Sequence, residues 1–197
     1  MQTLTEILAE SSRRHQHLCP RQVLGARMGL FAGKLLNLDL PRMDKRLLVI
    51  AETDGCTIDG FIAATGCHVG GRTLRILDFG KVAAIFTDTH TGASIRIAPS
   101  RESRLLAIKY APEQDTDWEA MLLGYQLVPS KDLFTAQQVQ LTTSLEEIIS
   151  DPDKKAVCEI CCEEIMNGRE VIRDGVILCR PCAGEIYYSI MTPTDHQ

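Results

Sequence analysis

Cys158-Glu-Ile-Cys161 and Cys179-Arg-Pro-Cys182, separated by seventeen residues, are the stretch on which the reading of this chain turns. Two cysteines three apart curl round one edge of a metal ion, and a second such pair completes a tetrahedron of sulfurs. Between them, Glu170-Val-Ile-Arg-Asp-Gly175-Val-Ile-Leu178 predicts two short strands around an Asp-Gly turn. Ala183 to Met191 then predicts a helix. Knuckle, hairpin, knuckle and helix is the order of a treble-clef zinc finger. It is assigned to residues 157–192, with a structural Zn²⁺ on Cys158, Cys161, Cys179 and Cys182. A module this small has little core of its own, so the metal must supply much of its folding free energy. The competing reading is two redox Cys-x-x-Cys pairs, but such pairs normally come singly in a larger fold. Cys162 is left as an unliganded neighbour.

Upstream lies a linker over residues 142–156. Leu145–Ile149 suits a short helix there, and Ser150 to Lys155 is polar and broken by Pro152. Residues 1–141 form the larger domain. A helix is predicted over 3–14, and a second begins at Pro20, where the missing N–H costs nothing. Leu24, Met28, Phe31, Leu35 and Leu38 give the second helix a core-facing stripe. Arg46–Glu52 reads as a buried strand, and a helix over 57–65 stops at Gly66. Strands are predicted at 73–79, 82–88 and 92–98, and helices at 116–126 and 132–139. The fold class is α+β: helices packed on a mixed or antiparallel sheet with a meander, plus the small C-terminal finger.

The 197 residues are 45% apolar, which suffices for a real core, and no apolar run approaches a membrane span. The opening stretch from Met1 to His15 lacks the apolar core and cleavage site of a signal peptide. The expectation is a cytoplasmic protein with no membrane partner, in which eight cysteines read as metal or redox groups before disulfides. The net charge of −5 is uneven, since residues 145–197 hold eleven acids against five bases. An acidic finger carrying four thiolates is unsuited to nucleic acid.

A second constellation is less regular. His15, His17 and Cys19 fall within five residues, and Cys56 and Cys67-His68 sit at breaks between elements. These are soft and imidazole ligands suited to zinc or another transition metal. Cys19 stands where the second helix begins, so the helix dipole is expected to favour its thiolate. Lone cysteines are also common as small buried hydrophobes, and the pattern alone leaves both readings open. Gly66 to Arg72 is a tight turn, not a phosphate loop, because it lacks the Lys-Ser/Thr pair. Trp118 and Tyr125 fit a helix face, as core or subunit contact.

His15-x-His17-Leu-Cys19-Pro20, Asp54-x-Cys56-x-x-Asp59, Thr65-Gly66-Cys67 and Asp78-x-Gly80-Lys81 occur in that order. Together they resemble the E-subunit family of formylmethanofuran dehydrogenase over most of residues 10–100. Arg21 and Gln16 stand where that family usually has glycines. The resemblance implies an α+β metal-binding domain, often dimeric, with a zinc or other transition-metal site on His17, Cys19 and Cys56. Cys67 is the next candidate, as a fourth ligand or a nearby thiol, and His15 would orient His17 or a bound water. Three protein ligands leave one position open, as in catalytic or exchangeable sites.

Three functions follow as expectations. The first is an accessory or metal- and cofactor-handling protein of C1 or molybdenum/tungsten redox metabolism, with a redox-enzyme partner. The second is a stand-alone metalloenzyme with an open zinc site. The third is a regulatory or interaction protein that docks through its finger. A homodimer is expected, and the linker is long enough for the finger to swap onto the partner subunit.

Overall fold

Thr3 opens the first helix by a reciprocal cap. Its N–H donates to Glu6 Oε2 at 2.8 Å, and its Oγ1 accepts from the Glu6 N–H. In the computed structural model, which describes residues 2–15, 17–149 and 153–189 (the side chains of residues 14 and 15 excepted), this helix is α1 (Leu4–His15). The described chain divides after Thr142 into two compact units.

In the larger unit, α2 (Pro20–Leu36) is the central helix. Residues 22–29 are all buried, so its buried surface is wider than the predicted stripe, and Leu35 is 43% exposed. Asn37, at φ +54°, closes it. Strand β1 (Leu47–Ala51) is buried throughout, and α3 (Thr57–Thr65) ends at Gly66 with φ +75°, as the sequence predicts. Next come β2 (Leu74–Ile76), β3 (Ala84–Asp88), β4 (Ser94–Pro99), α4 (Ser103–Tyr110), α5 (Asp117–Leu127), α6 (Ser130–Leu133) and β5 (Phe134–Val139). The sheet order is β2-β1-β3-β4-β5. β1 and β2 pair in parallel, with α3 as their crossover, and every other pairing is antiparallel. The core face carries Leu47, Val49, Phe86 and Ile97 against the helices, and Phe61 of α3 meets Phe86 edge-on at 5.7 Å.

Three expectations change here. The strands around 73–79, 82–88 and 92–98 are not a continuous meander, because β1 lies between β2 and β3. The helix expected over 132–139 is one turn of α6 followed by β5, which runs along β4 from Ser94↔Val139 to Pro99↔Phe134. As an edge strand it exposes residues 135–138, so its alternation is weak. Helix α4 is additional to the predicted elements; it buries only Ser103 and Ala107 and so carries almost no apolar signal.

Two helix pairs are set by glycine. A Cβ on Gly25 would stand 2.2 Å from the Thr57 carbonyl oxygen, and one on Gly60 would stand 2.3 Å from that of Gln22. Gly29 likewise faces Ala64. These contacts run in step along both chains, so α2 and α3 lie parallel, with their N-terminal ends side by side. Gly124 of α5 meets the Ala107 carbonyl of α4 in the same manner, at 2.0 Å. Arg27, buried in α2, donates to the carbonyls of Tyr125, Gln126 and Val128 at 2.6–2.8 Å and so caps the end of α5. Burial pulls its pKa down from the usual guanidinium range.

The smaller unit holds α7 (Leu145–Ile149), the expected short helix, and two hairpins. β6 (Lys155–Val157) pairs with β7 (Glu164–Met166), so the end of the predicted linker is already strand. β8 (Val171–Arg173) pairs with β9 (Val176–Leu178) around Asp174 and Gly175, both at positive φ, as the Asp-Gly turn predicts. Its core is Cys158, Ile165, Leu178 and Ala183. The helix expected from Ala183 is not formed among the described residues: a turn runs to Gly184, at φ +100°, and 185–189 have no regular structure. Ile186, Tyr187 and Tyr188 are exposed, so this short segment gains no packing to hold it helical. Residues 190 and 191 of that expectation lie outside the described residues.

Candidate metal centres

The knuckle between β6 and β7 folds by backbone bonds. The Cys158 N–H donates to Glu163 O, and the Cys162 N–H donates back to Cys158 O, with Cys162 itself at φ +61°. The second knuckle follows β9, where the Ala183 N–H donates to Cys179 O. The two are tied together by Glu159, whose N–H donates to Ile177 O and whose Oε1 accepts from the Ile177 N–H at 2.8 Å.

Cys158, Cys161, Cys179 and Cys182 thereby bring their sulfurs within 4.8 Å of one another, and Cys161 Sγ is 3.7 Å from Cys179 Sγ. A tetrahedron with Zn–S bonds of ~2.3 Å has an edge of ~3.8 Å, whereas a disulfide needs ~2.05 Å. The donor set therefore fits Zn²⁺ in spacing and in chemistry. Backbone N–H groups of Cys161, Cys179 and Ile160 point at Cys158 and draw its pKa down to about 6. Cys182, hydrogen-bonded by Cys179 and crowded by Cys158 and Cys161, is pushed up to about 12. Four such sulfurs ionise together only around a cation.

The second site lies at the paired ends of α2 and α3. Cys19 is the residue before α2 and Cys56 the residue before α3, and the glycine-lined crossing places their thiols in hydrogen-bond contact. Cys19 is held by Gln22, whose Oε1 accepts from the Cys19 N–H at 2.7 Å. Gln22 Nε2 donates to the carbonyl and the hydroxyl of Ser11, both at 3.1 Å, which ties the Cys19 turn to α1. Gln22 is a positioning residue that a search by ligand type passes over. The signal for it is the Cys-x-x-Gln spacing of a capping box. The expected helix-dipole activation of Cys19 is outweighed: burial first, then the neighbouring Cys56, raise its pKa, while the Gln22 N–H lowers it.

Above the pair opens a cleft of ≈ 790 Å³, walled by α4 and α5. His17 is exposed, and it does not form a close group with Cys19 and Cys56. Among the described residues, the four-cysteine cluster alone brings three or more ligand atoms within 4.8 Å. The side chain of His15 lies outside the described residues. Cys67 is elsewhere: it is buried in the core, its thiol donating to the Leu47 carbonyl at 3.3 Å. It follows the far end of α3, whose nine residues span roughly 13 Å. Lys81 is exposed beyond a turn in which the Gly80 N–H donates to Asp78 Oδ1.

An α+β unit with a thiol pair in an open cleft, followed by a small unit with four thiols able to hold a metal ion, is the class of protein these features define. The chain belongs to the FmdE family: the family described as "FmdE, Molybdenum formylmethanofuran dehydrogenase operon" matches residues 14–153. The fold is similar to that of an FmdE-like protein of tungsten formylmethanofuran dehydrogenase from Syntrophus aciditrophicus, with a TM-score of 0.63 at 19% identity over 95% of this chain and 96% of that one. The sequence is also similar to a probable S-adenosyl-L-methionine-binding protein of Archaeoglobus fulgidus, at 27% identity. That match takes in 95% of this chain but 55% of the relative, so the chain spans about half the length of that protein.

Proposed function

We propose that the chain is a metal-binding accessory protein that handles a metal or cofactor for C1 or molybdenum/tungsten redox chemistry. Its working site is the cleft over Cys19 and Cys56, and its four-cysteine unit is structural. The observation that carries this reading is the convergence of two thiols from different helices at the floor of an open cleft. Two sulfurs are a partial donor set. His17, two residues from Cys19 on exposed chain, supplies a third ligand by a modest movement of the segment before α2. A zinc or other transition ion held this way keeps a position for an exchangeable ligand, whereas the four-sulfur site is closed. A metal in the cleft supplies Lewis acidity; Cys19 and Cys56 anchor it, and Gln22 fixes Cys19.

The protein acts as a homodimer in this reading, with the finger reaching the partner subunit. Among the described residues no helix is long and apolar enough to cross a membrane, and the proposed location is the cytoplasm. The test is ligand exchange on the cobalt-loaded full chain. Azide or imidazole should shift the optical bands of the metal in the wild type and leave them unchanged in Cys19→Ser/Cys56→Ser. Bands insensitive to both ligands in the wild type would refute an open site.

A further inference from the structure

The cleft above Cys19 and Cys56 is ringed by guanidinium groups. Arg21 comes from the first turn of α2, Arg101 from the loop before α4 and Arg104 from the first turn of α4. All three are exposed, and among the described residues that line the cleft none is acidic. Other arginines of this unit are matched by carboxylates: Arg42 with Asp44, Arg46 with Asp88, Arg96 with Glu52. Arg21, Arg101 and Arg104 take part in no ion pair among the described residues. Three like charges around one concavity repel each other and gain most when an anion enters between them.

Their placement is built, not incidental. Arg104 hydrogen-bonds the hydroxyl of Tyr125, which is itself buried. The backbone contact at Gly124 locks α4 on α5, and so fixes the distance between Arg104 and the α5 wall. Arg21 Nη1 lies 4.0 Å from where a Cβ on Gly55 would stand, so its guanidinium covers the turn that presents Cys56. The α5 wall consists of Trp118, Met121 and Tyr125, which share one helical face. Trp118 is 47% exposed there, and it is the chain's one tryptophan. Core packing does not account for an indole left so open beside unpaired guanidiniums.

We infer that the cleft binds a small organic anion, with a carboxylate or phosphate group on Arg21, Arg101 and Arg104 and a planar apolar part laid on Trp118, so that the ligand sits over Cys19 and Cys56. This rests on the proposal that the cleft is the working site. The arginine fork matches both oxyanions in bidentate geometry. A cleft of ≈ 790 Å³ accommodates a molecule of nucleotide size.

Trp118 makes the test direct. The full chain is titrated with ATP, pyrophosphate and 1-naphthoate at physiological ionic strength, and tryptophan fluorescence is read alongside calorimetry. The expected result is saturable binding of ATP or naphthoate. Removal of Arg104 or Arg21 (R104A, R21A) should weaken it about tenfold or more for each guanidinium lost. Preference for ATP and pyrophosphate assigns a phosphate ligand, and preference for naphthoate a carboxylate. No saturable binding of any of the three, or binding unchanged in R21A/R104A, overturns the inference. The same titration on Cys19→Ser/Cys56→Ser separates the two proposals. Anion binding that persists in a protein showing no cleft metal leaves this inference standing and removes the metal reading. A cleft metal with no anion binding does the reverse.

Discussion

Cys158, Cys161, Cys179 and Cys182 converge in a unit whose buried apolar core is four residues, two of them next to the sulfurs, whereas Cys19 and Cys56 meet above a core of two dozen buried side chains. In the first case a metal makes the fold; in the second the fold makes the site. The difference shows in the backbone. The knuckles are shaped by N–H groups turned toward their own sulfurs, and the cleft pair by two glycine-lined helices that share an end.

The largest effect that would break the comparison is expected in the smaller unit. Cys158→Ser removes a ligand whose site is worth on the order of 10 kcal/mol in small zinc modules. Hydrogen exchange on the full chain should show residues 155–178 losing protection while β1, β3 and α2 keep theirs. Loss of protection in both regions would mean that the larger unit also depends on that metal.

Next is the helix crossing. Gly60→Ala places a Cβ 2.3 Å from the Gln22 carbonyl oxygen, which the backbone must move to accept. Overpacking of this kind costs roughly 1–3 kcal/mol. Urea unfolding should show that loss, and oxidation of Cys19 to Cys56 by diamide should slow because the helix ends part. A stable variant with unchanged oxidation would show that the crossing does not position the thiols.

Gln22→Ala is subtler. It removes the cap on Cys19 and both bonds to Ser11, with an expected loss of about 1–2 kcal/mol. Metal affinity in the cleft should fall roughly 10–100-fold, and the four-cysteine site should not change. Equal losses at both sites would erase the distinction.

The smallest effect concerns acid. Arg46 beside Asp88 holds that carboxyl at about 2, against an ordinary 3.8. A depressed folded pKa contributes stability that is complete above the ordinary value and is lost as pH falls from 3.8 toward 2. Asp88→Asn should flatten that part of the acid-stability curve of the larger unit. The smaller unit should fail at higher pH, because protons displace its metal from the thiolates.

The two regions are also unequally legible. Fixed spacing exposes the four cysteines, since the metal imposes it on the chain, and the Asp-Gly turn between them is as local. Cys19 and Cys56 lie 37 positions apart, and only the parallel course of α2 and α3 joins them. The glycines responsible, Gly25, Gly29 and Gly60, look like ordinary helix interruptions in sequence. Cys67 belongs to the same sequence pattern, yet α3 carries it away from Cys56 into the core. The arginines of the cleft come partly from α4, a helix whose burial pattern gives no sign of itself. Edge strand β5 reads as helix in sequence because its outer face is polar and unpaired by side chains, so the alternation that marks a strand is faint.

The contrast between one closed four-sulfur site and one open thiol site is tested most directly by counting metal per chain during graded chelation. Wild type is compared with Cys19→Ser/Cys56→Ser on the intact protein. Two metal ions per wild-type chain are expected, one leaving at low chelator and one held to high chelator, with only the labile ion missing from the double variant. A single tightly held ion in both proteins would contradict the two-site account.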